Sequence, residues 1–263
     1  MGFIDGSGLA GQIDRDASNW TAESLHRTFL THGCVVVRGV IPIDALESLR
    51  DVIAREYTKT TDLHIYDTDI KAATDGTRSG FELVDVPLLQ EFLGRVYEGQ
   101  NWRQHSVNAR RIEGVDSIEG WQKPLELHLD CQFHQFEFTT NFWIPLQHCG
   151  VESPAVQFLP IDYRRTRQYS GYTGALLREG ERWNFGYFPD VVCDPDVVTK
   201  DFGPECLFHP VMNPGDAIIA SNWIIHGSYR TPNMRKGRTN VEIRFIGSQL
   251  DLNPVADPEP RVS

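Results

Sequence analysis

Cysteine is scarce and poorly arranged for cross-linking. Cys34, Cys131, Cys149, Cys193 and Cys206 are odd in number, and no two have the spacing of a zinc knuckle or a dithiol redox motif. Neither a disulfide framework nor a structural zinc site is supported. Reduced thiols and a cytoplasmic location are therefore expected. No apolar run approaches the ~20 residues that cross a bilayer. Residues 1–13 lack the basic start and long apolar middle of a secretory signal. A membrane partner is thus not expected. Positive charge is also in deficit, with 25 Lys and Arg against 36 Asp and Glu, for a formal net charge of -11. Such a balance repels a duplex nucleic acid, and the short cluster Arg164, Arg165 and Arg167 is too small to reverse it. Internal repeats and low-complexity tracts are absent as well. A small molecule remains as the expected partner, with the oligomeric state left open.

The chain has 263 residues, 40% of them hydrophobic, enough for one core and one domain over 1–263. Residues 1–18 are rich in Gly and Asp and read as irregular. A helix is expected over 19–31, stopped by Gly33. The β-branched run 34–39 reads as a strand. A second helix over 42–57 places Leu46, Leu49, Val52 and Ile53 on one face. The polar stretch 58–80 has no clear period and reads as a lid loop. Asp85 is the expected cap of a third helix, with Pro87 in its first turn. From residue 101 to 250 the character changes to short segments rich in aromatic and branched residues. Strands are expected over 102–112, 125–130, 136–147, 155–159, 206–212, 216–222 and 239–246. The turn signal Asn213-Pro214-Gly215-Asp216 separates two of them. Helices first and strands after imply an α+β, mainly β fold, with a β-barrel core and flanking helices.

Two residues apart on a strand, His128 and Asp130 would face the same way. An imidazole and a carboxylate could then grip one metal ion, although the same pair also suits an exposed strand edge. A second histidine, His226, follows the segment 215–225, and Arg238 stands at the mouth of the last strand. Two histidines and one carboxylate can occupy one face of an iron(II) centre, leaving three positions for a chelating cosubstrate and dioxygen. The planar fork of an arginine suits a carboxylate of that cosubstrate.

These features together resemble the phytanoyl-CoA dioxygenase family of Fe(II)- and 2-oxoglutarate-dependent oxygenases. The opening Phe29-Leu30-Thr31-His32-Gly33-Cys34-Val35-Val36-Val37-Arg38-Gly39-Val40, the His128-Leu129-Asp130 motif, the Gly215-Asp216 strand and His226-Gly227-Ser228 carry the likeness, which runs from about residue 21 to 246. The resemblance implies a double-stranded β-helix, the jelly-roll or cupin-like core. It implies His128, Asp130 and His226 as iron ligands and catalytic centre. It further implies Arg238, helped by Ser228, on the distal carboxylate of 2-oxoglutarate, with Trp143 beside the cosubstrate and Asn108 at its other end. Trp143 also reads as a core tryptophan, and Asn108 as a strand-edge asparagine. Residues 152–162 depart from the family pattern, so this loop gives no guide to the substrate.

The expected activity is hydroxylation of an unactivated C–H bond, in natural product biosynthesis. Desaturation, epoxidation and ring formation use the same iron-centred oxidant, and substrate position decides among them. Asp130 fills the position that a small residue leaves open to chloride in related halogenating enzymes, so oxygen chemistry is expected rather than halogen transfer. A barrel that binds metal or ligand without oxidising anything is the alternative from another class. Two segments are candidates for the substrate mouth: 58–80, with His64, Tyr66, Lys71 and Arg78, and 163–189, with Tyr169, Tyr172, Trp183 and Tyr187. Both read equally as solvated loops. Their aromatic and polar groups suit a small polar or ring-bearing metabolite. Cys131 and His134, just after the HxD motif, are further candidates for lining the pocket.

Overall fold

The N-terminal third is organised by local start and stop signals. The computed structural model describes residues 6–59, 64–65, 83–98, 102–112, 127–130, 138–162 and 195–247. The chain enters through helix α1 (Gly6–Ile13) and strand β1 (Asp14–Asp16), where the sequence suggests no regular structure. Leu9 and Ile13 are buried with Cys34 and Val36, and this burial outweighs the weak helix propensity of a glycine-rich segment. Helix α2 (Ala22–His32) starts at Thr21, whose hydroxyl accepts from the Ser24 backbone N–H while the Ser24 hydroxyl accepts from the Thr21 N–H. It stops at Gly33, where φ is 69°. A Cβ there would lie 2.8 Å from the Ile161 carbonyl oxygen, so backbone and space both require glycine.

Strand β2 (Cys34–Arg38) follows at once, then helix α3 (Ile43–Tyr57), the short strand β3 (His64–Ile65) and helix α4 (Pro87–Val96). Asp85 does not cap α4. Val86 occupies the N-cap without a side-chain bond, and the fixed φ of Pro87 starts the helix instead.

The remaining elements are strands β4 (Trp102–Ile112), β5 (Thr139–Pro145) and β6 (Ala155–Phe158), helix α5 (Pro195–Phe202), and strands β7 (Ala217–Ser221), β8 (His226–Tyr229) and β9 (Arg238–Gly247). Seven strands form a large sheet in the order β1-β2-β7-β5-β9-β4-β3, and β6 pairs with β8 in a small one. Among the described strands only β1 and β2 run parallel; the other pairings are antiparallel. Two expected strands are reduced to single bridges. Residues 127–130 contribute His128 opposite His226, while 206–212 contribute Phe208 opposite Phe158 and Met212 opposite Cys149. Since Phe158 also pairs with His226, His128, His226, Phe158 and Phe208 form one row across the small sheet.

Strand alternation separates the faces of the large sheet. Val35 and Val37 of β2, Val107 and Ala109 of β4, Phe142 and Ile144 of β5, and Val241, Ile243 and Phe245 of β9 join the core beneath α2, α3 and α4. Each fully buried side chain of this size contributes about 1.5–3 kcal/mol. On the opposite face Cys34, Val36, Trp143 and Ile218 meet Val156 and Phe158 of the small sheet. A third cluster packs Val198 and Phe202 of α5 on Leu127, Leu129 and Ile225, the residues flanking the two histidines. Asp216 locks the N-terminal edge: its carboxylate accepts from Asn213 N–H at 2.9 Å, Gly39 N–H at 3.0 Å and Arg38 Nη1 at 2.8 Å. Arg38 Nε reaches Asp14 Oδ1 at 2.6 Å.

Candidate metal centre

His128 and His226 come together because their backbones pair. His128 N–H donates to the His226 carbonyl at 2.7 Å, and His226 N–H donates to the His128 carbonyl at 3.0 Å. Directly opposed residues of an antiparallel pair project to one face, and the two ring centroids lie 4.3 Å apart. Asp130 enters the same space with its Oδ1 3.6 Å from His128 Nε2 and 3.8 Å from His226 Nε2. One ligand atom from each residue lies within 4.8 Å of the others. An octahedral ion with bonds of about 2.1 Å sets neighbouring donors about 3 Å apart. Closing the three donors on such an ion therefore takes movements under about 1 Å.

Protonation suits the same role. His226 Nδ1 lies 3.1 Å from the Ile224 carbonyl. A proton on Nδ1 makes that bond and turns the Nε2 lone pair toward Asp130. Burial, with His128 second, lowers the His226 pKa, so the ring is neutral at pH 7 and can bind a metal. Burial alone would raise the Asp130 carboxyl, but the cationic forms of His226, Arg244 and His128 hold it well below the usual carboxylate range.

The second oxygen of Asp130 is occupied. Its Oδ2 accepts from Asn141 Nδ2 at 2.9 Å and from Arg244 Nη2 at 3.3 Å. Arg244 Nη2 also lies 3.3 Å from Glu242 Oε2. With the Asn108 amide oxygen facing the guanidinium, it accepts from Arg244 Nη1 at 2.9 Å, and the amide nitrogen donates to the Val107 carbonyl at 3.0 Å. Burial lowers the pKa of Arg244, but Asp130 and Glu242 outweigh it and raise the net value.

Further along β9 the electrostatics reverse. Arg238 is 2% exposed, and among the described residues no carboxylate pairs with it. Its Nη1 donates to the Ala155 carbonyl, and its Cζ stands 5.2 Å from the centre of the Trp143 ring. Arg238 Nε and the Trp143 indole N–H are buried donors without an acceptor. Burial, followed by Arg110, lowers the Arg238 pKa from the usual arginine range to about 10. A buried cation and two orphaned donors are costly unless an anion completes them. Ser228 lies opposite Val156, one residue from the Ala155 carbonyl that takes Arg238. It shares a face of β8 with His226, two residues away.

Of the residues singled out in the sequence, His128, Asp130 and His226 form one cluster and Trp143 and Arg238 another. Asn108 is bound to Arg244. Tyr66, Lys71, Arg78, Cys131, His134, Tyr169, Tyr172, Trp183 and Tyr187 lie outside the described residues, as does the side chain of His64. Neither Asn141 nor Arg244 carried a signal in the sequence beyond its strand. Their alternation with apolar neighbours in β5 and β9 was the available clue, since it puts them on the face opposite the helices.

No family model and no curated protein matches the chain. Solved structures do. One is EvdO2 from Micromonospora carbonacea var. aurantiaca, complexed with 2-oxoglutarate, at 17% identity and a TM-score of 0.59, covering 90% of this chain and 94% of that one. Another is SnoK, a non-heme alpha ketoglutarate dependent carbocyclase from nogalamycin biosynthesis, at 15% identity and a TM-score of 0.59, covering 89% of this chain and 87% of that one. The chain shares the fold of these two proteins.

Proposed function

We propose that this protein is an Fe(II)- and 2-oxoglutarate-dependent oxygenase of the phytanoyl-CoA dioxygenase type, a single domain over 1–263 built on a jelly-roll core. The observation that carries the proposal is the pairing of a His-Asp-His cluster with a buried, carboxylate-free arginine beside an orphaned indole N–H. His128 and His226 would hold iron through Nε2, and Asp130 through Oδ1. Arg238 and Trp143 would donate to the distal carboxylate of 2-oxoglutarate, with Ser228 beside them. Iron(II) bound by these three residues would supply 2-oxoglutarate-driven oxidation by dioxygen, with succinate and carbon dioxide as co-products, at an unactivated C–H bond. The protein's part is to fix three ligands on one face, neutralise the cosubstrate and keep water from the reacting centre.

Hydroxylation of a small polar or ring-bearing metabolite is the proposed outcome. Ring closure is the second reading, favoured by the fold shared with a carbocyclase. A cytoplasmic location accords with the reduced thiols expected from the sequence, and no helix among the described residues is long and apolar enough to cross a membrane. Succinate formation from 2-oxoglutarate on adding iron(II), abolished in His226→Ala, tests the class. Absence of both succinate formation and 2-oxoglutarate binding would leave a non-oxidising barrel. Product analysis under labelled dioxygen with chloride present tests the outcome. Label in the product supports hydroxylation, an unlabelled oxidised product supports ring closure or desaturation, and a chlorinated product contradicts the role given to Asp130.

A further inference from the structure

Asp130 has two oxygens, and the protein treats them differently. Oδ1 faces both imidazoles, while Oδ2 takes two donors from the large sheet. Those donors are themselves fixed. Thr139 Oγ1 donates to Asn141 Oδ1 at 3.2 Å, which sets the amide with its nitrogen toward Asp130. With the Asn108 amide oxygen toward the guanidinium, Arg244 Nη1 is held at 2.9 Å, while Nη2, the nitrogen on Asp130, also lies 3.3 Å from Glu242 Oε2, so both ends of the fork have partners. Asn141 and Arg244 are direct partners across β5 and β9, and neighbouring strands hold them side by side. The result is a chain of contacts from Thr139 through Asn141, Asp130 and Arg244 to Asn108 and Glu242, in which every member but Asp130 stands on a strand of the large sheet.

We infer that Asn141 and Arg244 are positioning residues that confine Asp130 to one-oxygen ligation. The inference rests on the metal-binding role proposed above for His128, Asp130 and His226. Its consequence is a count of coordination positions. A carboxylate that turned both oxygens to a six-coordinate ion would leave two positions free, enough for a chelating cosubstrate but not for dioxygen as well. With Oδ2 engaged by the sheet, three remain. Partners of this kind orient a ligand and tune its basicity, and their loss typically costs about 10–100-fold in metal affinity or activity.

The test is cobalt(II) titration of the purified full-length protein, followed by the cobalt visible absorption and then by 2-oxoglutarate titration of the cobalt form. Asn141→Ala and Arg244→Met should each weaken cobalt binding by about 10-fold or more, and each should change the cobalt band shape. Asn141→Ser, which keeps a shorter donor, and Arg244→Lys, which keeps the charge, should recover part of the affinity and the wild-type spectrum. A merely structural role would lower the melting temperature and leave the spectrum of the bound cobalt unchanged. His128→Ala separates the two levels of the proposal. If wild type does not bind cobalt, or His128→Ala binds it equally well, the metal centre itself is wrong. If wild type binds and His128→Ala does not, while Asn141→Ala and Arg244→Met keep wild-type affinity and spectrum, the positioning role alone is overturned. Asn141 is uncharged and only partly buried, so Asn141→Ala decides the matter if Arg244→Met fails to fold.

Discussion

Replacing Arg238 with methionine should weaken cosubstrate binding without weakening the fold. Arg238 is 2% exposed and has no carboxylate partner among the described residues. Its pKa falls from the usual arginine range to about 10 through burial and the neighbouring Arg110. At pH 7 that drop corresponds to roughly 3 kcal/mol spent on keeping the charge buried. The sign is that of a cation depressed on folding: the cost is present below about pH 10 and is relieved as the group loses its proton above that. Methionine removes the cost and fills much of the volume. It also loses the bond to the Ala155 carbonyl and the contact over Trp143, together worth about 1–2 kcal/mol. The metal-free variant should therefore melt no lower than wild type. Two charge-assisted bonds to a carboxylate contribute about 1.5–3 kcal/mol each, so 2-oxoglutarate affinity should fall by roughly 10²–10⁴-fold. Calorimetry with 2-oxoglutarate on the cobalt(II) form, beside scanning calorimetry of the metal-free form, measures both. Affinity within about threefold of wild type would place the cosubstrate carboxylate on another cation, and a collapse in melting temperature would show that Arg238 is structural.

Four further outcomes follow from the same geometry. His128→Ala should lose cobalt(II) binding while keeping its circular dichroism spectrum, because the core of the helical face lies elsewhere; retained stoichiometric binding would refute the cluster. Trp143→Phe keeps the aromatic contact but loses the indole N–H, and should weaken 2-oxoglutarate by about tenfold; an unchanged affinity would make Trp143 a packing residue. Metal-free stability should fall with pH from about 6.5 downward, because burial lowers the pKa of His26, His32 and His226 and the unfolded chain binds the protons that the folded one excludes; Asp130, depressed instead, gives up its contribution only at much lower pH, and a urea midpoint that rises on acidification would contradict this. Arg38→Met should cost about 1–3 kcal/mol in urea unfolding, since it removes the cation shared by Asp14 and Asp216 and leaves Asp216 only its two backbone donors; a midpoint within the error of wild type would show the cluster to be idle.

Local chemistry was readable in the chain. Gly33 and Pro87 fix helix ends through a left-handed backbone and a preset φ, both properties of single residues, whereas the start of α2, expected at 19, is set by the Thr21 and Ser24 hydroxyls. Alternation in β5 and β9 announced strands with one apolar face, and His128, Asp130, His226 and Arg238 stood out by type and order. The helix at 6–13 escaped because its stability comes from burying Leu9 and Ile13 against β2, a contact that no local window contains. Segments 125–130 and 206–212 had strand composition, but the number of backbone partners that they find is set by the neighbouring chain. The site divides in the same way. Sequence supplied the donors. Tertiary pairing alone set His128 opposite His226, gave Asp130 Oδ2 to Asn141 and Arg244, and left Arg238 buried without a carboxylate. Burial and cross-strand register act between residues far apart in the chain, 114 positions in the Arg244–Asp130 pair and 178 in the Arg38–Asp216 pair, and only the folded sheets bring such residues within reach of one another.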